Sequence, residues 1–180
     1  DDEYDDYYAY HDYDDNYQNG FLIVSETVVS SVDVDNDGTI DMTSTESSTY
    51  EYNEYDQVVS ETQSSSYDTN GDGVADESSS STWTNGENGH TSSSSSSYDW
   101  DGDGVIDQIS ESSSSTIWNE DGTWVETYSS HEDWNGDGVW DESSETTRTY
   151  SENGDLMIET YSDSYDWDGD GVVDDTTAGT

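Results

Sequence analysis

Asp99-Trp-Asp-Gly-Asp-Gly-Val-Ile-Asp107 is a nine-residue word that this chain writes five times. The other copies are Asp33-Val-Asp-Asn-Asp-Gly-Thr-Ile-Asp41, Asp68-Thr-Asn-Gly-Asp-Gly-Val-Ala-Asp76, Asp133-Trp-Asn-Gly-Asp-Gly-Val-Trp-Asp141 and Asp166-Trp-Asp-Gly-Asp-Gly-Val-Val-Asp174. Their first residues lie 35, 31, 34 and 33 positions apart, which makes the chain a tandem array with a period near 33. Such a period marks an architecture in which each small unit buries little alone and stacks on its neighbours.

The word has the chemistry of a cage for a hard divalent cation. Calcium takes six to eight oxygens at roughly 2.3–2.6 Å from a sharply bent loop. Side-chain oxygens stand at the first place (Asp33, Asp68, Asp99, Asp133, Asp166), the third (Asp35, Asn70, Asp101, Asn135, Asp168), the fifth (Asp37, Asp72, Asp103, Asp137, Asp170) and the ninth (Asp41, Asp76, Asp107, Asp141, Asp174). The seventh-place carbonyls of Thr39, Val74, Val105, Val139 and Val172 complete the set. Gly38, Gly73, Gly104, Gly138 and Gly171 fill the sixth place, where the backbone must turn tightly and a side chain is expected to obstruct. For one copy alone, an acidic turn without metal is the competing reading. Five copies with fixed Gly and Asp places read as about five bound Ca²⁺ ions.

Between the words the pattern is that of β-strands. The segments Val24-Ser-Glu-Thr27, Val59-Ser-Glu-Thr62, Trp124-Val-Glu-Thr127 and Met157-Ile-Glu-Thr160 precede four loops at matching distances, with His90-Thr-Ser-Ser93 as the degenerate copy. After the loops come Ser/Thr-rich segments whose aromatics (Tyr50, Tyr52, Trp83, Trp118, Tyr150) stand an odd number of residues past the ninth-place Asp, on one face of a strand. Asn85-Gly86, Asn88-Gly89, Asp121-Gly122 and Asn153-Gly154 are hairpin turn chemistry, as is the stretch from Asn53 to Gln57. The expected fold is all-β: antiparallel β-hairpin repeats of about 33 residues, calcium loops along one edge, forming an extended or coiled ribbon. The array covers 21–180, and 1–20 is a separate acidic, Tyr-rich segment. Phe21-Leu-Ile-Val24 opens the most apolar strand. It is expected either to dock on the end of a preceding molecule or to be capped by 1–20.

Composition sets the partners. Net charge is −45, and Arg148 is the only basic residue apart from three histidines. Nucleic acid and anionic membrane surfaces both need a positive face and are excluded. No run of about 18 apolar residues exists to span a membrane. There is no cysteine, so thiols do not report the compartment. Calcium at affinities of about 10⁻⁴–10⁻³ M argues for an extracellular, secreted or cell-surface setting. His11, His90 and His131 fall at unrelated repeat positions and no nucleophile–base set is visible, so no enzyme is expected.

Serine and threonine make up 52 of 180 residues, too many for strands that pack a core. These blocks read as O-glycosylation acceptors, with Thr27, Thr62, Ser79, Ser80, Ser93, Ser95, Ser113, Ser114, Thr127 and Thr160 as candidates; as plain solvated faces; or as ordered hydroxyl arrays against ice. Mucin-like stretches usually contain proline, which is absent, and no Asn-x-Ser/Thr site occurs. Tyr67, Tyr98 and Tyr165 precede three loops, and Trp100, Trp134 and Trp167 hold the second place of three. They are expected to form an aromatic ladder in which each ring packs on the next repeat, or alternatively a platform for sugars.

The first half of the word resembles an EF-hand loop, but the twelfth place holds Ser44, Ser79, Ser110, Ser144 and Thr177 instead of a bidentate Glu. The shorter pattern, closed at its ninth Asp, resembles the calcium loops of thrombospondin type-3 repeats and integrin-type propeller blades. As a whole, and best in Asn153–Asp174, the chain resembles long secreted bacterial tandem-repeat proteins with Asp-rich calcium loops between hairpin strands. The resemblance implies an extracellular stalk, adhesin or matrix fibre. The primary expectation is a calcium-stabilised structural repeat that assembles with itself head to tail into a filament and carries O-glycans. The alternatives are an adhesin stalk, a carbohydrate-binding module using the aromatic ladder, and a calcium reservoir.

Overall fold

Between its acidic loops the chain alternates hydroxyl side chains with β-branched and aromatic ones and holds no proline, so nothing interrupts an extended backbone. The structure, a computed structural model, describes residues 10–18 and 21–180, with side chains from residue 24 onward. It contains β1 (Tyr10–Gln18), β2 (Phe21–Val32), β3 (Met42–Tyr52), β4 (Val58–Asp68), β5 (Glu77–Gly86), β6 (Gly89–Tyr98), β7 (Gln108–Trp118), β8 (Trp124–Asp133), β9 (Glu142–Tyr150), β10 (Leu156–Tyr165) and β11 (Asp175–Gly179). They form one open antiparallel sheet of 11 strands in chain order. No helix occurs among the described residues.

The two edges of the sheet use different turn chemistry. On one edge Asn53 N donates to Gln57 O at 2.9 Å, Asn119 N to Thr123 O at 2.8 Å and Ser151 N to Asp155 O at 2.9 Å. The penultimate residue of each of these turns, Asp56, Gly122 or Gly154, takes a left-handed φ of 59°, 83° or 86°. Glycine adopts that conformation without strain, and Asp tolerates it better than most residues. The acidic words occupy the connections at the other edge.

Pairing divides the strand residues between two faces. One row runs Thr49, Thr62, Thr82, Ser93, Ser113, Ser129 across β3 to β8, and the adjacent row on the opposite face runs Ser48, Gln63, Ser81, Ser94, Ser112, Ser130. Facing hydroxyls bond directly, as in Thr62–Thr82 at 3.2 Å, Ser94–Ser112 at 2.8 Å and Ser113–Ser129 at 2.8 Å. Tyr50, Trp83, Tyr128 and Tyr161 lie in one row of the Ser48 face, and Trp118, Trp124 and Tyr150 in another row of that face. The Thr49 face carries none of the tyrosines or tryptophans of β3 to β10.

A single layer has no interior, and among the described residues no hydrophobic side chain is buried. The buried side chains are Thr116 and four aspartates of the acidic loops: Asp99 (4 % exposed), Asp133 (1 %), Asp141 (4 %) and Asp166 (2 %). Strand-to-strand hydrogen bonds and cross-strand pairs, each worth roughly 0.2–1 kcal/mol, hold the sheet in place of a core.

Of the two expectations for Phe21–Val24, the structure supports capping. β1 pairs with β2 from Tyr10↔Val29 to Gln18↔Phe21, so the apolar strand is not at the rim. The rest of the proposed 1–20 segment, residues 1–9 and 19–20, lies outside the described residues.

Trp124 stacks on its cross-strand neighbour Tyr150, with ring centroids 5.0 Å apart and planes 15° from parallel. In a coreless sheet such a pair is a main local source of apolar contact. Trp124→Ala should therefore lower stability by roughly 1–3 kcal/mol in denaturant unfolding. Thr147→Ser, on the opposite face, should stay within about 0.5 kcal/mol.

Candidate metal centre

Each acidic word is folded by its own carboxylates. The ninth-place amide closes the loop onto the carbonyl just before it: Asp41 N to Val32 O at 2.9 Å, Asp76 N to Tyr67 O at 2.8 Å, Asp107 N to Tyr98 O at 2.7 Å, Asp141 N to Glu132 O at 2.8 Å and Asp174 N to Tyr165 O at 2.7 Å. The first-place carboxylate accepts the sixth-place glycine amide, as in Gly104 N to Asp99 Oδ2 at 2.7 Å and Gly138 N to Asp133 Oδ2 at 2.8 Å. The ninth-place carboxylate accepts the second-place amide, as in Trp100 N to Asp107 Oδ2 at 2.7 Å. Fifth-place carboxylates accept the seventh-place amides, for example Val105 N to Asp103 Oδ1 at 2.9 Å. These bonds fix the carboxylates toward one another, because each anchors to an amide of the same short loop.

Three loops bring carboxylate oxygens within 4.8 Å of each other: Asp33, Asp35 and Asp37; Asp99, Asp101 and Asp107; Asp166, Asp168 and Asp174. Each group can hold a metal ion. The donors are all oxygen, which suits a hard cation rather than a soft one. The repulsion among them is visible at Asp168, whose pKa is raised first by the neighbouring Asp170, then by desolvation and by Asp174. Asp76, in the second loop, shifts the other way, because the Thr69 hydroxyl and amide both donate to its carboxylate. Loops 2 and 4, numbered from the N-terminus, carry Asn70 and Asn135 at the third place; their aspartates accept the same loop amides, but among the described residues no three carboxylates gather within 4.8 Å in either. The sole Lys or Arg side chain is remote from this chemistry: Arg148 Nε pairs with Glu159 at 2.7 Å on the strands β9 and β10.

The glycines act differently from expectation. At the sixth place an added Cβ meets nothing within 4 Å at Gly38, Gly73, Gly104 and Gly138, so obstruction is not the reason for glycine. The reason is backbone conformation, with φ between 85° and 91° at these four positions. The fourth place, which sequence reasoning passed over, adds obstruction to a left-handed φ of 66–75°, by backbone at Gly71 and Gly136 and by the end of an Asn side chain at Gly102 and Gly169. A Cβ on Gly71 would lie 2.6 Å from Ile40 O, on Gly136 it would overlap Ile106 O outright, and on Gly102 and Gly169 it would lie 2.6 Å from Asn70 Nδ2 and Asn135 Nδ2. Each of these contacts belongs to the preceding loop. Loop 1 alone has a side chain there, Asn36, at φ 58°. The sequence signal was the Asn-Gly-Gly-Gly-Gly order of that place through the five words.

The aromatics pair within a repeat rather than from one repeat to the next. Tyr98 stacks on Trp100 and Tyr165 on Trp167, each at 4.9 Å and 4°. Trp134 and Trp167 form the one inter-loop contact among these rings, tilted at 6.4 Å. Loops recur every second strand, roughly 10 Å apart, which is too far for continuous stacking. Tyr67 donates instead to Glu46 Oε1 at 3.1 Å. Compared with protein-family models, curated proteins and solved structures, the chain has no match in any of the three.

Two expected outcomes follow from the loops. Gly136→Ala should destabilise the sheet by more than Gly138→Ala in thermal unfolding, since only the former adds a backbone collision to the strain of φ. For Asp168 the folded pKa is raised, so its contribution is fully present below the ordinary carboxylate value and is lost as pH rises through the folded one. Without metal the sheet signal in circular dichroism should therefore fall as pH rises through the folded Asp168 value, and Asp168→Asn should reduce that fall.

Proposed function

We propose that the chain is an extracellular, calcium-stabilised structural repeat that assembles head to tail into a fibre and carries O-linked sugars on its hydroxyl-rich strands. The observation that carries this reading is where burial falls. Among the described residues no apolar side chain is buried while Asp99, Asp133, Asp141 and Asp166 are, in a chain of net charge −45 with one Arg. Buried carboxylates without cations are costly, and the chain supplies almost none of its own. Calcium at the five words supplies that charge at the point of burial. About five ions would bring the net charge to about −35 and leave the sheet dependent on metal for folding.

One further feature supports the coat. Of the acceptor candidates, Thr27, Thr62, Ser80, Ser93, Ser95, Ser113, Thr127 and Thr160 share the face that lacks tyrosine and tryptophan, whereas Ser79 and Ser114 lie on the other. A coat on one face leaves the aromatic face free to pack.

The test is to treat native material with EGTA and follow it by circular dichroism, electron microscopy and intact mass. Loss of sheet signal with loosening of filaments, and excess mass in hexose-sized steps, is the expected result. A bare 20.0 kDa monomer that keeps its sheet without calcium would contradict the proposal.

A further inference from the structure

Arg148, the one Arg or Lys side chain of the protein, is held on the face that carries the rings. Its Nε bonds Glu159 Oε1 at 2.7 Å, and Glu126 stands directly across from it on the other side. Its guanidinium lies 5.8 Å from the centre of the Tyr128 ring. A carboxylate gives a guanidinium a directed, charge-assisted bond, and an aromatic face attracts the flat cation. Both kinds of partner act here on one side chain.

Glu126 and Glu159 are the same residue of two repeats, each seven positions before the first Asp of its loop. Glu61 is their equivalent before Asp68. It lies on the same face, directly between Tyr50 on β3 and Trp83 on β5. Those rings are two strands apart, about 10 Å, so a cation above Glu61 is within reach of both. Among the described residues neither ring contacts another ring or a cation, whereas Trp124 and Tyr150 stack on each other. Trp83 is 37 % exposed. Gln63 Nε2 donates to Glu61 Oε1 at 2.6 Å, a neutral donor that orients the charge without cancelling it. Arg148 lies five strands away on β9, so this chain has no Arg or Lys to offer Glu61.

Charge selects the partner. Glu46, Glu61, Glu126, Glu132, Glu142 and Glu159 stand on this face with Arg148 as its one Arg or Lys, in a chain of net charge −45. An anionic partner is repelled. A neutral sugar could stack on the rings but would leave Glu61 uncompensated. We propose that the ring face is a docking surface for a basic polypeptide, with Tyr50, Glu61 and Trp83 as the seat for one of its arginine side chains. The incoming guanidinium repeats the Arg148 arrangement, bonding the carboxylate and lying against the rings. Lysine fits less well, because its compact ammonium neither pairs in a bidentate fork nor stacks as a plane.

The test titrates the full chain with hexa-arginine, hexa-lysine and a neutral cello-oligosaccharide, in calcium-containing buffer at about 0.15 M salt. Calorimetry reads affinity, and the assigned indole N–H signals of the seven tryptophans read location by NMR. Hexa-arginine is expected to bind at least about fivefold more tightly than hexa-lysine and to shift the Trp83 signal. Glu61→Gln, close in shape to the native residue, should lose about fivefold or more toward hexa-arginine while keeping its sheet signal in circular dichroism. Glu111→Gln removes the same charge from the opposite face and should change the affinity by less than about twofold. Equal binding of the two peptides, or an unmoved Trp83 signal, overturns the seat and leaves attraction to net charge. Equal losses in Glu61→Gln and Glu111→Gln overturn it as well, as does binding of the oligosaccharide rather than hexa-arginine at Trp83. If Glu61→Gln loses its sheet, the peptide comparison and the Trp83 signal of the wild type decide alone.

Discussion

The sheet depends on how its buried carboxylates are neutralised. Side-chain burial, which in most proteins falls to leucine and valine, falls among the described residues to Thr116 and four aspartates of the acidic loops. Amides of each loop meet those carboxylates and satisfy their oxygens, as at Asp133, which accepts from Gly136 N at 2.7 Å and Gly138 N at 2.8 Å. Hydrogen bonding of this kind orients a charge without cancelling it.

This explains why the strands are free to be so polar. With no second layer to pack against, neither face selects for aliphatic side chains, and serine becomes tolerable because hydroxyls such as Ser47 and Ser64, Ser65 and Ser79, Ser78 and Ser97, and Ser80 and Ser95 bond directly across the ladder. The faces still differ. Both carry serine rows, but the Thr49 face adds residues such as Glu111, Ile117 and Glu145 and no tyrosine or tryptophan of β3 to β10, whereas the other gathers those rings together with glutamates such as Glu61, which lies in the row of Tyr50 and Trp83. The placement of the rings alone makes the two sides of the layer chemically distinct.

Much of this was legible in the residues. The five words located the five connections at one edge, and the odd spacing of Tyr50, Trp83, Trp118 and Tyr150 placed them on one face, because strand parity is fixed by the backbone. What escaped was every feature that depends on neighbouring words meeting in space. The fourth-place glycine looks dispensable within one loop and is required only where the previous loop presses on it. The ring pairs Tyr98–Trp100 and Tyr165–Trp167 are two residues apart, yet a ladder between repeats was the natural expectation from their periodicity. Periodicity reports which residues are equivalent, and the loop separation of two strands decides which of them can touch.

Asn36 marks the one word whose fourth place carries a side chain. Loops 2 to 5 each receive the preceding loop on a bare glycine. The stack therefore has a direction: each contact runs from a carbonyl or an Asn side chain of one word to the glycine of the next, so a word shows different surfaces to its two neighbours.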